Sequence, residues 1–170
     1  PDENRRLKNF LESADLVIDG GGYIGEWTDQ MLCRYDSRIV VFEAVPSFAQ
    51  ALACRYARNA RVEVQPLALS NQSGHRHIHV AGESTSLFSG GAGDVSIQLI
   101  DVATYFEQRS WQEIGCLMLN IEGAEYDVLD RLIDSGLIAR VRCLLVQFHN
   151  VVPDAESRRE TIRSALQTTH

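Results

Sequence analysis

Five polar side chains stand where apolar runs of this sequence stop: Asp19, Glu43, Asn120, Glu122 and His149. Asp19 closes Leu16-Val17-Ile18, and Glu43 closes Arg38-Ile39-Val40-Val41-Phe42. Asn120 and Glu122 end the run from Cys116, and His149 ends the run from Val141 to Phe148. Carboxylates accept hydrogen bonds, an amide donates and accepts, and an imidazole exchanges a proton near neutral pH. Beside the first carboxylate lie four glycines within six positions, Gly20, Gly21, Gly22 and Gly25. Glycine lets the backbone take left-handed angles and come close to a ligand that a Cβ would block. The N–H groups at the start of the next helix then face whatever sits over the turn.

Strand tips must carry these groups. Leu16 to Ile18 reads as a buried strand, and Tyr23, Ile24, Trp27, Met31 and Leu32 follow at helical spacing to about Tyr35. Arg38 to Phe42 is a second strand, and Pro46-Ser47 opens a helix with Phe48, Leu52 and Tyr56 inward. Val62 to Leu69 is a third strand; Asn71 to Gly74 turns the chain into an antiparallel strand from His75 to Val80. Ala81 to Asp94, rich in Gly and Ser, reads as a mobile loop. Val95 to Ile100 is strand-like, with Asp101 placed to cap a helix to about Trp111. Cys116 to Ile121 is a strand, and the next helix sets Ala124, Val128, Leu129, Leu132 and Ile133 on one face and stops at Gly136. Val141 to Phe148 is a last strand and Asp154 to Gln167 a last helix; Asp2 to Ala14 reads as an amphipathic lead-in helix. Strands that alternate with helices and are apolar nearly throughout predict an α/β, Rossmann-like, doubly wound and mostly parallel sheet covered on both faces. Ligands of such sheets lie at the carboxyl ends of the strands, where these polar groups gather.

Two glycine patterns fit the first turn. Gly20, Gly22 and Gly25 satisfy the dinucleotide pattern G-x-G-x-x-G, with Glu43 near the expected distance beyond. Asp19, Gly21 and Gly25 satisfy D-x-G-x-x-x-G, the first motif of S-adenosylmethionine (SAM) methyltransferases. Asp19 favours the second, because its charge would repel a pyrophosphate and suits the ammonium and sulfonium of SAM.

The 170 residues fit one domain, taken here as 1–170 with 1–14 as the lead-in, long enough to bury about 70 % of its unfolded surface. A formal charge of −7 argues against nucleic acid and for a small or uncharged acceptor. No apolar run is long enough for a membrane span and no signal peptide is visible, so a cytoplasmic protein is expected. Cys33, Cys54, Cys116 and Cys143 lack C-x-x-C spacing and read as reduced packing residues. The first residue is Pro1, which suggests a trimmed amino terminus.

Taken in order, the motifs from Val17 to about His149 resemble the FkbM family of SAM-dependent methyltransferases. Val17-Ile18-Asp19-Gly20-Gly21-Gly22-Tyr23-Ile24-Gly25 is similar to its first motif, and Val41-Phe42-Glu43-Ala44-Val45-Pro46 to its acidic second-strand motif. Leu67-Ala68-Leu69-Ser70-Asn71 with Gly74, then Leu99-Ile100-Asp101, then Ile121-Glu122-Gly123-Ala124-Glu125-Tyr126-Asp127-Val128-Leu129 complete the series. The resemblance implies a class I methyltransferase fold with SAM, or S-adenosylhomocysteine as product, over the glycine turn. Asp19, Gly21 and Gly25 would surround the methionine part, with Gly20 and Tyr23 also binding the cofactor. Glu43, with Ala44 beside it, would accept the ribose hydroxyls, Ala68 and Leu69 would pack near adenine, and Asn120 would lie near the transferred methyl. The implied reaction is O-methylation of a hydroxyl on a sugar or small natural product. The sequence departs from the family in having Asn120 in place of Asp, which speaks against a metal. The class I sheet also ends in two further strands that nothing after His170 supplies, as in a truncated or abbreviated form.

A neutral alcohol needs a base to attack a methyl carbon, and Glu122 and His149 are the candidates at adjacent strand tips. Glu125 lies inside the first helical turn and ranks below them. Plainer roles compete: Glu122 and Glu125 as charges that favour a helix N-terminus, His149 as a loop hydrogen bond, and His75, His77 and His79 as an exposed edge strand. A SAM-binding module without turnover and an NAD-dependent oxidoreductase are the alternatives.

Overall fold

The computed structural model describes residues 11, 15–81, 84–86, 94–167 and 169–170. In chain order these residues form β1 (Leu16–Gly20), α1 (Glu26–Arg34), β2 (Arg38–Phe42), α2 (Pro46–Tyr56) and β3 (Val62–Gln65). Four strands follow, β4 (Ala68–Ser70), β5 (Gly74–Ala81), β6 (Ser84–Ser86) and β7 (Asp94–Asp101), and then α3 (Val102–Gln108). The chain continues through β8 (Cys116–Leu119), α4 (Glu125–Asp134), a 3-10 turn (Leu137–Arg140), β9 (Leu144–Val146) and α5 (Ala155–Leu166).

The central sheet is parallel throughout, in the order β3-β2-β1-β8-β9. Successive residues along its strands face opposite helical layers. Ile18, Val40 and Leu117 pack with Phe106, Tyr126 and Leu129 of α3 and α4. Val17, Ile39, Val41 and Cys116 pack with Met31, Leu52 and Tyr56 of α1 and α2. Burial on both faces is why these strands read as continuous apolar runs, and the Rossmann-like expectation holds.

Register sets the tips. Gly20 pairs with Phe42 on one side and Leu119 on the other, so Gly21, Glu43 and Asn120 emerge together at the carboxyl edge. Asn120 N–H donates to the Gly20 carbonyl at 2.9 Å, and Gln147 N–H donates to Leu119 at 2.9 Å, which brings the chain after β9 to the same rim.

Several features differ from the sequence reading. The run Val62 to Leu69 divides into β3 and β4, because Pro66 has no N–H for a ladder and Leu67 N–H turns back to Gln65 at 2.8 Å. β4 then joins a separate four-stranded sheet, in the order β4-β7-β5-β6. The Gly/Ser stretch contains β6, paired with β5, while 82–83 and 87–93 lie outside the described residues, as does the lead-in helix except for Leu11. Only Leu144–Val146 of the last apolar run enters the ladder, and Val141 makes an isolated bridge to Ile114. Cys33 and Cys54 are exposed, so of the cysteines only Cys116 is buried and Cys143 half-buried. No helix among the described residues is long and apolar enough to cross a membrane.

Asp101 caps α3 as expected, accepting from Thr104 N–H at 2.7 Å and from Arg131 Nε at 2.8 Å. Burial pushes its carboxyl up, but Arg131 and the Thr104 N–H outweigh that and hold it below the usual range. Asp101→Ala is therefore expected to cost about 1–2 kcal/mol, seen as a lower urea midpoint with unchanged slope.

Candidate functional site

β1 ends because the next residues leave strand geometry: Gly21 has φ 96°, Tyr23 47° and Gly25 88°. The glycines answer first to the protein's own packing. A Cβ on Gly21 would stand 2.1 Å from the Asn120 carbonyl oxygen, one on Gly22 2.2 Å from Val41, and one on Gly25 2.5 Å from the Tyr56 hydroxyl. Room for a ligand is thus only part of why glycine is needed.

Four of the turn's donors are also bonded within the chain. Gly21 and Gly22 N–H both donate to the Phe42 carbonyl, at 2.9 and 3.1 Å, and Gly25 N–H donates to Gly22 at 2.8 Å. Tyr23 N–H donates to Oε2 of Glu43 at 2.7 Å, while Val45 N–H donates to Oε1 at 2.8 Å. Glu43 therefore ties two loops together, and burial pushes its carboxyl up despite these bonds. Each of its oxygens keeps a further lone pair.

A cavity of about 200 Å³ opens over this arrangement. The strand tips contribute Gly21, Glu43, Ala44, Asn120 and Glu122, and the second sheet contributes Ala68, Leu69 and Ile78 as the opposite wall. Tyr23 and Phe48, edge to face with centroids 4.8 Å apart, also line it. Its charged lining groups are carboxylates, and among the described residues no basic side chain lines it. Asn120 lines it, and its Oδ1 is buried with no hydrogen-bond partner among the described residues. A buried acceptor without a donor is costly, and a ligand with an N–H or O–H would relieve it.

Asp19, Gly20 and Gly25 stand outside this lining. Asp19 faces the other way, 2 % exposed, and accepts from the Thr28 hydroxyl at 2.5 Å. Burial pushes its carboxyl up to about 6, the Thr28 bond opposes the shift, and the Glu43 charge adds to it.

His149 also stands outside the lining, beside Glu122, with its Nε2 3.7 Å from Oε1 of that residue. Glu122 itself holds φ 53°, a strained conformation for a non-glycine residue and one that concentrates at functional sites. Glu125, ranked low from sequence, is fully buried. It accepts from Gly123 N–H at 2.8 Å and His149 N–H at 2.6 Å, and its Oε1 lies 3.0 Å from His149 Nδ1. Phe48 and Ile78 were likewise missed as site residues. Periodicity marks Phe48 as inward, but not that it turns toward the strand tips.

Comparison with known proteins gives one family. A model described as Methyltransferase FkbM domain matches residues 19–166. No curated protein matches the chain.

Proposed function

The chain belongs to the FkbM methyltransferase family, and from that premise we propose that it moves a methyl group from SAM to a hydroxyl of a small acceptor such as a sugar or natural product. The observation that carries this reading is the sign of the cavity. Carboxylates line it, Asn120 lines it with a buried amide oxygen that no described residue bonds, and four N–H groups of the turn, those of Gly21, Gly22, Tyr23 and Gly25, are already bonded to Phe42, Glu43 and Gly22. A cationic ligand suits such a site and a dinucleotide does not.

When bound, SAM supplies an electrophilic methyl on a sulfonium. The chain's own residues would do the rest. The free lone pairs of Glu43 would accept the ribose hydroxyls, Asn120 would lie against the methionine part, and Tyr23, Ala68 and Leu69 would pack the base. Gly21 keeps the floor open. Glu122 or His149 receives the acceptor's proton, and the cavity walls hold the reactants in line. Asp19 acts through space from beneath the turn. A cavity of about 200 Å³ on a chain of charge −7 favours a small hydroxylated acceptor over nucleic acid.

Asn120, standing where the family has Asp, favours a second reading as a SAM-binding module without turnover. Two measurements separate the possibilities. SAM at 100 times its dissociation constant should add about 2.7 kcal/mol of stability, and NAD should add none. Methyl release to one member of a hydroxylated-metabolite panel then distinguishes enzyme from module. A thermal shift with NAD and none with SAM would sink both readings.

A further inference from the structure

The buried carboxylate of Glu125 has no part in the roles above. Its Oε2 is occupied by Gly123 N–H at 2.8 Å and its Oε1 by His149 N–H at 2.6 Å. Backbone N–H groups can only donate, so the group is fixed as an acceptor. The third neighbour, His149 Nδ1 at 3.0 Å from the same Oε1, must then be a donor as well. On the other side of the ring, the amide nitrogen of Gln147 lies 3.5 Å from Nε2. An amide NH2 is also only a donor, so in this orientation Nε2 is the acceptor, and the Glu122 carboxylate, 3.7 Å from Nε2, is beyond hydrogen-bond distance and holds no proton there. Two neighbours on opposite sides of the ring select the same tautomer.

We propose that Glu125 is a positioning residue that holds His149 with its proton on Nδ1, leaving the Nε2 lone pair beside Glu122 to take the acceptor's proton. This deepens the methyltransferase reading and rests on it. In the step itself the hydroxyl proton moves to Nε2, the bonding pair stays on the acceptor oxygen, and the ring gains one positive charge. That charge forms between Glu125 at 3.0 Å and Glu122 at 3.7 Å, which stabilise it. Holding an imidazole in the wrong tautomer is known to be costly where a histidine acts as base, which is the work an orienting carboxylate does.

The tautomer can be read directly. Long-range ¹H–¹⁵N correlation spectra of the SAM-free protein, with the His149 signals identified from His149→Gln, should show a protonated Nδ1 and an unprotonated Nε2. Glu125→Gln should move a measurable fraction of the ring to the Nε2–H form. It should also lower kcat on the order of 100-fold, with KM for SAM changed less than about twofold. If Glu125→Gln fails to fold, the wild-type spectrum alone decides. An Nε2–H ring in the wild type, or an unchanged tautomer in a folded Glu125→Gln protein, overturns the proposal. Failure of the broader reading is separate, since it appears as a missing SAM shift while the tautomer stays as described.

Discussion

Asp19→Asn is expected to make the protein more stable at pH 8 and to make it bind SAM less well. The carboxyl sits at about 6 in the folded protein against 3.8 for the ordinary group, chiefly through burial. A carboxyl raised by folding contributes stability below its unfolded value, and that contribution is lost as pH rises through the folded value. Above pH 6 the charged form therefore weighs against the native state, by roughly 3 kcal/mol at 1.36 kcal/mol per unit. Asn can still accept from the Thr28 hydroxyl at the same position, but its NH2 needs a partner of its own. That trims the gain to about 1–2 kcal/mol, or on the order of 2–8 °C in Tm for a domain of this size. Between about pH 4 and 6 the wild type should lose stability that the variant keeps. Identical pH profiles for the two proteins would show that Asp19 is not buried as a charge.

A charge kept at such a cost calls for a return, and the cavity just beyond the glycine turn offers one. A cation there would be attracted by the ionised carboxylate, so SAM affinity should fall in the wild type as pH drops through about 6. In Asp19→Asn it should be about tenfold weaker above that pH and flat across it. Titration calorimetry at several pH values measures both.

Much of this site could be read from the order of residues, and the reason is geometric. A parallel sheet buried on both faces writes its strands as apolar runs, and the first polar residue after each run marks the rim. Glu43, Asn120 and Glu122 were found that way, and the register of Gly20 with Phe42 and Leu119 brings them together. Asp19 belongs to a different case. Strand parity puts it on the face of Val17, toward Thr28 and α1, so it closes the run without entering the cavity. The glycine demands at positions 21, 22 and 25 come from Asn120, Val41 and Tyr56, partners far away in the chain. No local pattern records them. Glu125 looked like a helix-start charge because nothing nearby in sequence shows that His149 N–H and Nδ1 arrive beside it. The second sheet was hidden for a simpler reason, since Pro66 interrupts a run that hydropathy alone reads as continuous.

Glu43→Gln is expected to weaken SAM binding by about 100-fold, corresponding to about 3 kcal/mol. The side chain holds two loops and faces the cavity at once. Tyr23 N–H and Val45 N–H each occupy one of its oxygens, and in the proposed reading the remaining lone pairs would accept from the ribose diol. An amide has only one oxygen. Whichever way it turns, one of the two backbone donors meets an NH2, at a cost of about 1–3 kcal/mol in stability. One ribose hydroxyl also loses its acceptor and the other keeps only a neutral one, and hydrogen bonds to a charged group are about twice as strong as neutral ones. A purely structural role for Glu43 would produce the first effect without the second. The two are separated by S-adenosylhomocysteine and its 2′-deoxy analogue. Wild-type protein should prefer the ribose form by ~10- to 100-fold, and Glu43→Gln should bind the two nearly alike, because the missing hydroxyl and the missing acceptor are the same interaction. If the variant keeps the full preference for the ribose form, Glu43 braces the loops and some other group reads the sugar.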